Sequence, residues 1–305
     1  MYDFPPFRPP SEAYSYLIRV VRGCNWNKCA FCGMYKGIKF QQRKKEEILR
    51  DIDRIREIFT PSRSAFLGDS NPLVHKDIVE IVSYLKLKYP ELERITAYAR
   101  AKTIANMPEK RLDSLKDAGL TRLHIGLESG DDEVLKLVNK GITSRDAIKA
   151  AEKARKYFEL TYYVITGLGG AERSEKHAKN TAKVINEAKP TFVRIRNLTV
   201  ISGTPIESMV GKELTLLTPK QQLEELKMLI ENIKVKTYFT CDHVSNYIFT
   251  KSGVIFYGVS GYLPEQKDDM IRQIDDTLET IQVLEESGEK ILASNDMYKL
   301  GLITL

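Results

Sequence analysis

Apolar residues recur along this chain in two rhythms, short continuous runs and stripes spaced three or four apart, and the two rhythms alternate. Runs at 16–21, 64–67, 94–99, 122–127, 160–165 and 191–195 have strand length. Between them 44–59, 74–86, 144–157 and 174–188 keep helical spacing, most clearly at Ile48, Ile52, Ile55 and Ile58. Strands alternating with helices predict an α/β fold, a parallel sheet with right-handed crossovers. The rhythm alone allows a doubly wound sheet, a partial barrel or a full one, and all of these gather ligands at the C-terminal ends of their strands. Ahead of the first strand, residues 1–13 contain Pro5, Pro6, Pro9 and Pro10 and predict an extended arm lying over one end or edge of the fold. Past about Met209 the strand rhythm lapses, so a core at 14–210 is expected to be followed by an α-rich C-terminal extension at 211–305, with helices at 219–233 and 265–286.

Composition narrows this only a little. A chain of 305 residues suits one large α/β domain, or a domain of about 200 residues with an appendage. Charged residues make up 29%, and no run approaches the roughly 18 apolar residues that span a bilayer, which predicts a cytoplasmic protein without a membrane partner. The net charge of +6 is compatible with an anionic substrate or nucleic acid but is also common in proteins that bind neither, and the latter is favoured.

The chemistry is concentrated after the first strand. Arg22-Gly23-Cys24-Asn25-Trp26-Asn27-Lys28-Cys29-Ala30-Phe31-Cys32-Gly33 contains three of the four cysteines. Thiolates so close together on a loop can share one metal centre, and they suit zinc or an iron–sulfur cluster far better than magnesium or calcium. A disulfide framework would leave one of the three unpaired, and no signal peptide precedes them to imply an oxidising compartment. Structural zinc wants a fourth ligand, and the next candidate, His75, lies far downstream. A [4Fe–4S] cluster on three thiolates keeps one iron open to a non-protein ligand.

With Phe31 before the last cysteine, in a loop after a first strand, this stretch resembles the cluster loop of the radical SAM superfamily. The spacing departs from the commonest pattern, with four residues between the first two cysteines where most members have three, which bears on the subfamily. The resemblance implies a partial (β/α)6 TIM-like barrel. It also implies a [4Fe–4S] cluster on Cys24, Cys29 and Cys32 whose open iron chelates S-adenosylmethionine, cleaves it reductively and releases a 5′-deoxyadenosyl radical.

Other candidates lie at the strand ends. Gly68, Asp69 and Ser70 stand where the superfamily has its glycine-glycine-glutamate motif, and they are candidates for the cofactor's ammonium; Ser70 or Asn71 before Pro72 equally suits a helix cap. Arg100 closes the third strand as a possible carboxylate ligand or a surface ion-pair partner. The run from Leu123 to Gly130, with Asn139-Lys140-Gly141 after it, resembles the fourth-strand segment of coproporphyrinogen dehydrogenase-like, Elongator-like and methylthiotransferase-like branches, which carries Glu128 and Ser129 over as cofactor contacts. A buried Glu with no nearby base in the sequence would otherwise be costly. Gly167, in Thr166-Gly167-Leu168-Gly169-Gly170, is by resemblance an adenine and ribose contact; the turn lacks the Lys and Ser/Thr of a phosphate-binding P-loop. In the sixth strand one of Arg194 and Arg196 is expected to point inward and the other outward, and one of them to hold the cofactor carboxylate or an acidic substrate. Asp242-His243, in a tail resembling an uncharacterised group of single-domain radical SAM proteins, is a candidate proton donor or a strand-end turn. Cys241 is a candidate hydrogen-atom donor, or a buried thiol of no chemical role.

The expectation is therefore a radical SAM enzyme of oxidoreductase or lyase type. It would act on a small-molecule substrate with an electron donor such as flavodoxin or ferredoxin, since no RNA-binding or cobalamin domain is appended. Modification of tRNA or protein is the second reading, and a non-catalytic iron–sulfur or zinc protein the third.

Overall fold

The computed structural model describes residues 7–304; residues 1–6, which include Pro5 and Pro6 of the expected arm, and Leu305 lie outside them. Two compact units share the chain: Met1–Asn27, Met34–Gly126 and Lys149–Thr161 form the first, and Lys28–Gly33, Leu127–Ile148 and Tyr162–Leu305 the second.

In the first unit β1 (Tyr16–Arg19), β2 (Ser64–Gly68), β3 (Arg94–Ala99) and the start of β4 (Arg122–Glu128) pair in parallel, with Tyr16 opposite Ala65, Ser64 opposite Arg94, and Thr96 opposite Arg122. All of β1 is buried. A parallel strand covered on both faces reads as an uninterrupted apolar run, which is why the sequence shows it so clearly. The helices α1 (Lys45–Asp53), α2 (Ile78–Lys88) and α3 (Glu109–Asp117) bury the stripes Ile48 and Ile52, Ile78 to Leu85, and Leu112 and Leu115. The expected helix at 44–59 breaks at Arg54 and resumes for one turn at Ile55–Ile58.

The arm ends in a single turn, Pro10–Glu12, that sends Glu12 into the interior. There its carboxylate accepts hydrogen bonds from Ser15 Oγ (2.6 Å) and Arg94 (3.3 Å) and meets His124 Nε2 (3.1 Å). Arg94 is the first residue of β3, so this contact lies at the strand's N-terminal end, away from the ends where ligands gather.

The second unit takes the end of β4, most of β5 (Glu159–Thr166), β6 (Phe192–Asn197), β7 (Thr237–Thr240) and β8 (Ser260–Leu263). The hydrogen-bonded order is β1-β2-β3-β4-β5-β6-β7-β8, and β7 runs parallel to β6 while β8 turns back antiparallel. Helix α4 (Ser144–Ala154), whose residues from Lys149 on belong to the first unit, and α5 (Gly170–Ala188), α6 (Pro219–Asn232) and α7 (Lys267–Glu286) follow the expected stripes. The six expected strands are all present, and the extension adds more than helices. Besides β7 and β8, residues 248–256 and 292–293 form a separate three-stranded sheet. These strands have two to four residues each, too short for a period to register against the flanking polar turns.

Candidate functional site

The cysteine stretch begins where β1 ends, and in the first unit the turn after β2 holds its root. Asp69, buried to 1% exposure, accepts from Arg19 Nε (3.1 Å) and from the Gly23 N–H (3.0 Å), and its own N–H donates to the Val21 carbonyl (3.0 Å). Ser70 Oγ donates to the Gly23 carbonyl (2.9 Å). Gly23 has φ +76°, and a Cβ there would meet Ile38 at 3.1 Å, so the chain turns here on a residue without a side chain. Asp69 and Ser70 are thus directed at the residue before Cys24. Asn71 extends the clamp: its amide nitrogen reaches Thr103 Oγ1 (2.9 Å) and Asn25 Oδ1 (3.3 Å), and its oxygen accepts from the Arg100 N–H (3.3 Å). Asn71 therefore makes no side-chain cap for the Pro72–Val74 turn. The Arg100 guanidinium lies 5.0 Å from the centre of the Trp26 ring. Cys24 Sγ accepts from the Asn27 N–H at 3.3 Å.

Arg100 also lines a cavity of about 410 Å³ with Asn25, Lys102, Thr103 and Arg111, whose three cations favour anions.

In the second unit the stretch Lys28–Gly33 is held by backbone bonds on both sides of Ala30. The Ala30 N–H donates to Val138 (2.8 Å), and the Ala30 carbonyl accepts from Ile206 (3.0 Å). Ala30 belongs to an apolar cluster with Val134, Val138, Leu198 and Ile206, against which Phe31 packs. A side chain at Gly33 would strike Ile201 at 3.0 Å.

The segment after β4 approaches the same stretch. Glu128 has φ +66°, a backbone region that costs a branched or long residue about 1 kcal/mol or more and that clusters at functional sites. Its carboxylate meets Lys140 Nζ at 2.6 Å, and that ammonium lies 5.8 Å from the centre of the Phe31 ring. The sequence expectation of a Glu without a base is therefore corrected: the base is Lys140, twelve residues on, brought back past the helical turn Asp132–Leu137. Lys140 is the functional candidate that sequence reasoning missed, although the Asn139-Lys140-Gly141 run marks the position.

Buried hydrogen bonds fix the backbone beyond Glu128. Ser129 is fully buried and its Oγ accepts from the Asp131 N–H (3.0 Å), while the Gly130 N–H donates to Thr181 Oγ1 (2.8 Å). A Cβ on Gly130 would lie 2.4 Å from the Asn180 carbonyl oxygen in α5. Asp131 caps Asp132–Leu137, accepts twice from Arg173 (2.9 and 3.1 Å) and once from Asn180 (2.8 Å). Burial alone would raise its pKa, but the Val134 N–H, the Asn180 amide and the Arg173 charge outweigh burial and hold it below 3.8.

The glycine turn after β5 has a specific occupant. The Gly167 N–H, at φ +75°, donates 2.7 Å to Glu225 Oε1, a buried carboxylate that also meets His177 Nδ1 (3.0 Å) and Ser174 Oγ (2.5 Å). A carboxylate in that position repels phosphate, which agrees with the missing P-loop residues.

On β6 the alternation expectation is corrected. Residues two apart on a strand share a face, and the burial pattern shows it: Val193, Ile195 and Asn197 are buried, whereas Arg194 and Arg196 both lie half-buried on the opposite side. Burial pulls the Arg196 pKa down; the Arg194 charge adds to this, and Tyr163, Asp242 and Cys241 oppose it. Cys241 is 1% exposed, and burial pushes its thiol up to about 12, so it stays protonated. Among the described residues no ion pair joins Asp242 to His243. Asp242 is exposed, whereas His243 Nδ1 accepts from the Ser245 N–H (3.1 Å) and meets Ser245 Oγ (2.9 Å). Burial first, then the Arg196 charge, lower the His243 pKa to about 4 against the pull of Asp242. At neutral pH this imidazole is uncharged, with its proton on Nε2.

A cluster-type cysteine loop at the end of a first strand, on a mostly parallel α/β sheet with polar residues at the strand ends, marks a metallocofactor-binding fold of the barrel type. The chain belongs to the radical SAM superfamily, whose family model matches residues 18–185.

Among curated relatives, an uncharacterised methyltransferase of Pyrococcus horikoshii is 22% identical over 79% of this chain and 51% of its own length, and a GTP 3′,8-cyclase of Listeria monocytogenes is 30% identical over 47% and 42%. A tRNA-2-methylthio-N(6)-dimethylallyladenosine synthase of Syntrophus aciditrophicus is 24% identical over 72% and 48%. The chain thus spans about half the length of the curated relatives it matches. Among solved structures, coproporphyrinogen III oxidase HemN of Escherichia coli aligns with a TM-score of 0.55 at 19% identity, over 71% of this chain and 51% of that one. The cobalamin-binding radical SAM methyltransferase TsrM of Kitasatospora setae aligns at 0.53 and 17%, over 70% and 43%. The fold is the superfamily's partial barrel.

Superfamily membership sets the cofactors as a [4Fe–4S] cluster and S-adenosylmethionine. The donor set fits: Cys24, Cys29 and Cys32 are half-buried thiols, the ligand type such a cluster takes. Among the described residues no three His, Cys, Asp or Glu side chains are gathered as they would be around a single metal ion. Thiolates that each bind a different iron of a cubane have no need to converge on one point as zinc ligands do.

Proposed function

We propose that this protein is a radical SAM enzyme that abstracts a hydrogen atom from a small-molecule substrate, with Cys24, Cys29 and Cys32 holding the cluster. When bound, the cluster and S-adenosylmethionine supply reductive cleavage of the sulfonium and a 5′-deoxyadenosyl radical. The observation that carries the reading is the double anchoring of the cysteine stretch, at Gly23 by Asp69 and Ser70 and at Ala30 by Val138 and Ile206. So held, the backbone fixes Cys24 within the first unit, and Cys29 and Cys32 within the second. Asp69 and Ser70 act as positioning residues; Glu128, Ser129 and Lys140, with Arg100 and the backbone about Gly68 and Gly167, are the proposed cofactor contacts.

Within the core at 14–210 this machinery follows the strand ends. The chemistry needs a one-electron donor, for which a flavodoxin or ferredoxin of a reducing cytoplasm is suited. His243, neutral and bonded through Nδ1, offers an Nε2 proton to a substrate and does not serve as an imidazolium acid. Cys241 retains its S–H.

Anaerobic reconstitution followed by dithionite and S-adenosylmethionine tests the proposal. The wild-type protein forms 5′-deoxyadenosine and methionine, and Cys29→Ala loses both the cluster absorbance and the product. Retained cleavage in Cys29→Ala refutes the ligand assignment. Modification of tRNA is a second reading, favoured by the cationic cavity of Arg100, Lys102 and Arg111. It predicts an association with RNA that weakens steeply as salt rises.

A further inference from the structure

β6 and β7 pair in parallel with Val193 opposite Phe239 and Arg194 opposite Thr240. Side chains of residues aligned across a sheet project to the same face, so Thr240 stands beside Arg194, and Arg196 lies one step further toward the C-terminal ends. Past the Phe192–Tyr238 pair this face is polar, yet it is unfinished. Arg194 Nε and Thr240 Oγ1 are buried and have no hydrogen-bond partner among the described residues, and Thr240 is only 3% exposed. No ion pair among the described residues joins either arginine to a carboxylate; Arg196 bonds its neighbour's Ile195 carbonyl (2.9 Å) and lies 5.9 Å from the Tyr163 ring. Asp242, whose charge acts on Arg196, is exposed and forms no ion pair with it among the described residues.

Two half-buried guanidiniums side by side repel each other, and a buried N–H and hydroxyl without partners are costly. An anion with two or more oxygens is the ligand these groups suit, because the guanidinium fork matches carboxylate and phosphate geometry. We propose that Arg194, Arg196 and Thr240 form the subsite that holds an oxyanion of the substrate, either a carboxylate or a phosphate. Assigning that anion to the substrate rests on the radical SAM reading; the binding itself does not.

Calorimetric titration of inorganic phosphate and of succinate tests this, using cluster-loaded protein saturated with S-adenosylmethionine at fixed ionic strength. At least one anion binds, and Arg194→Gln and Arg196→Gln each weaken that binding at least tenfold. Arg196→Lys, which keeps the charge and removes the fork, and Thr240→Val, which removes the hydroxyl at nearly constant volume, each weaken it severalfold and decide the matter if a glutamine variant fails to fold. Binding of phosphate alone marks a phosphorylated substrate, and binding of succinate alone a carboxylic acid. Failure of both anions to bind, unchanged affinity in the variants, or displacement of the anion by S-adenosylmethionine overturns the proposal. Formation of 5′-deoxyadenosine in the same preparation reports on the radical reading separately.

Discussion

Glu128 and Lys140 form a largely buried side-chain pair in the second unit, both only 12–13% exposed. Removing one partner of such a pair leaves the other charge buried, which costs more than the pair itself contributes. Lys140→Met is therefore expected to destabilise the apoprotein by about 2–4 kcal/mol. Glu128→Gln/Lys140→Met together should cost clearly less than the sum of the single changes, a coupling that denaturant titration of the four proteins measures. Equal and additive losses would show that the contact is an exposed pair of little weight. The pair also shows where sequence reading stops at this scale. Glu128 stands out by its strand-end run, but its partner lies twelve residues on, across a helical turn and the bend at Asn139, whose φ of +49° no periodicity announces. Likewise Arg194 and Arg196 are visible as candidates in the sequence, while the unpartnered Nε and the neighbouring Thr240 hydroxyl emerge only once the strands are paired.

At the scale of elements, the turn after β4 is seated directly against α5. Gly130 packs against the backbone of α5 so closely that a methyl group would stand 2.4 Å from one carbonyl oxygen and 2.5 Å from the Thr181 Cα. Backbone in a helix cannot yield as a flexible side chain does. Gly130→Ala is expected to cost about 3 kcal/mol, read as a lowered unfolding midpoint. Gly169→Ala, at the start of α5, whose contacts are side chains at 3.1 Å and beyond, should cost less. A Gly130→Ala protein with unchanged stability would mean that α5 can move away.

Long buried elements are legible in the sequence because their periods are long enough to register: the parallel strands read as apolar runs and α5 through α7 as stripes. β7 and β8 are not legible, since Thr237–Thr240 and Ser260–Leu263 mix Thr, Ser, Gly and Tyr with one or two apolar residues each. The clamp on Gly23 is legible only in part. Gly68-Asp69-Ser70 is marked as functional, but a glycine, a carboxylate and a hydroxyl suit a cofactor's ammonium as well as they suit a backbone N–H and carbonyl. Which of these they meet is decided by the register of β1 against β2, with Arg19 opposite Gly68.

For the molecule as a whole, each unit contains a buried carboxylate whose ionised form is held by the fold, and this sets its response to acid. In the first unit burial would raise the pKa of Glu12, but the hydrogen bonds from His124 and Ser15 and the charge of Arg94 outweigh it and hold the pKa below 4.5. In the second unit Asp131 is likewise held below 3.8 by Val134, Asn180 and Arg173. A carboxylate depressed in the folded state contributes stability that is fully present above its unfolded pKa and is lost as the pH falls through the lower, folded one. Stability should therefore be level with respect to these two groups at neutral pH and fall below about 4.5, the ordinary value for Glu12, continuing below 3.8 as Asp131 titrates in turn. Glu12→Gln should lower stability at pH 7, by removing the charge that Arg94 pairs with, and should make the acid side of the profile shallower. Asp131→Asn should do the same in the second unit, at the expense of the Asp132–Leu137 cap and the two-pronged contact with Arg173. Urea midpoints between pH 3 and 7 for the wild type and both variants test this linkage. If the Glu12→Gln and wild-type profiles run parallel down to pH 3, the Glu12 carboxylate is not held ionised by its surroundings, and the anchoring of the amino-terminal arm must be attributed to packing alone.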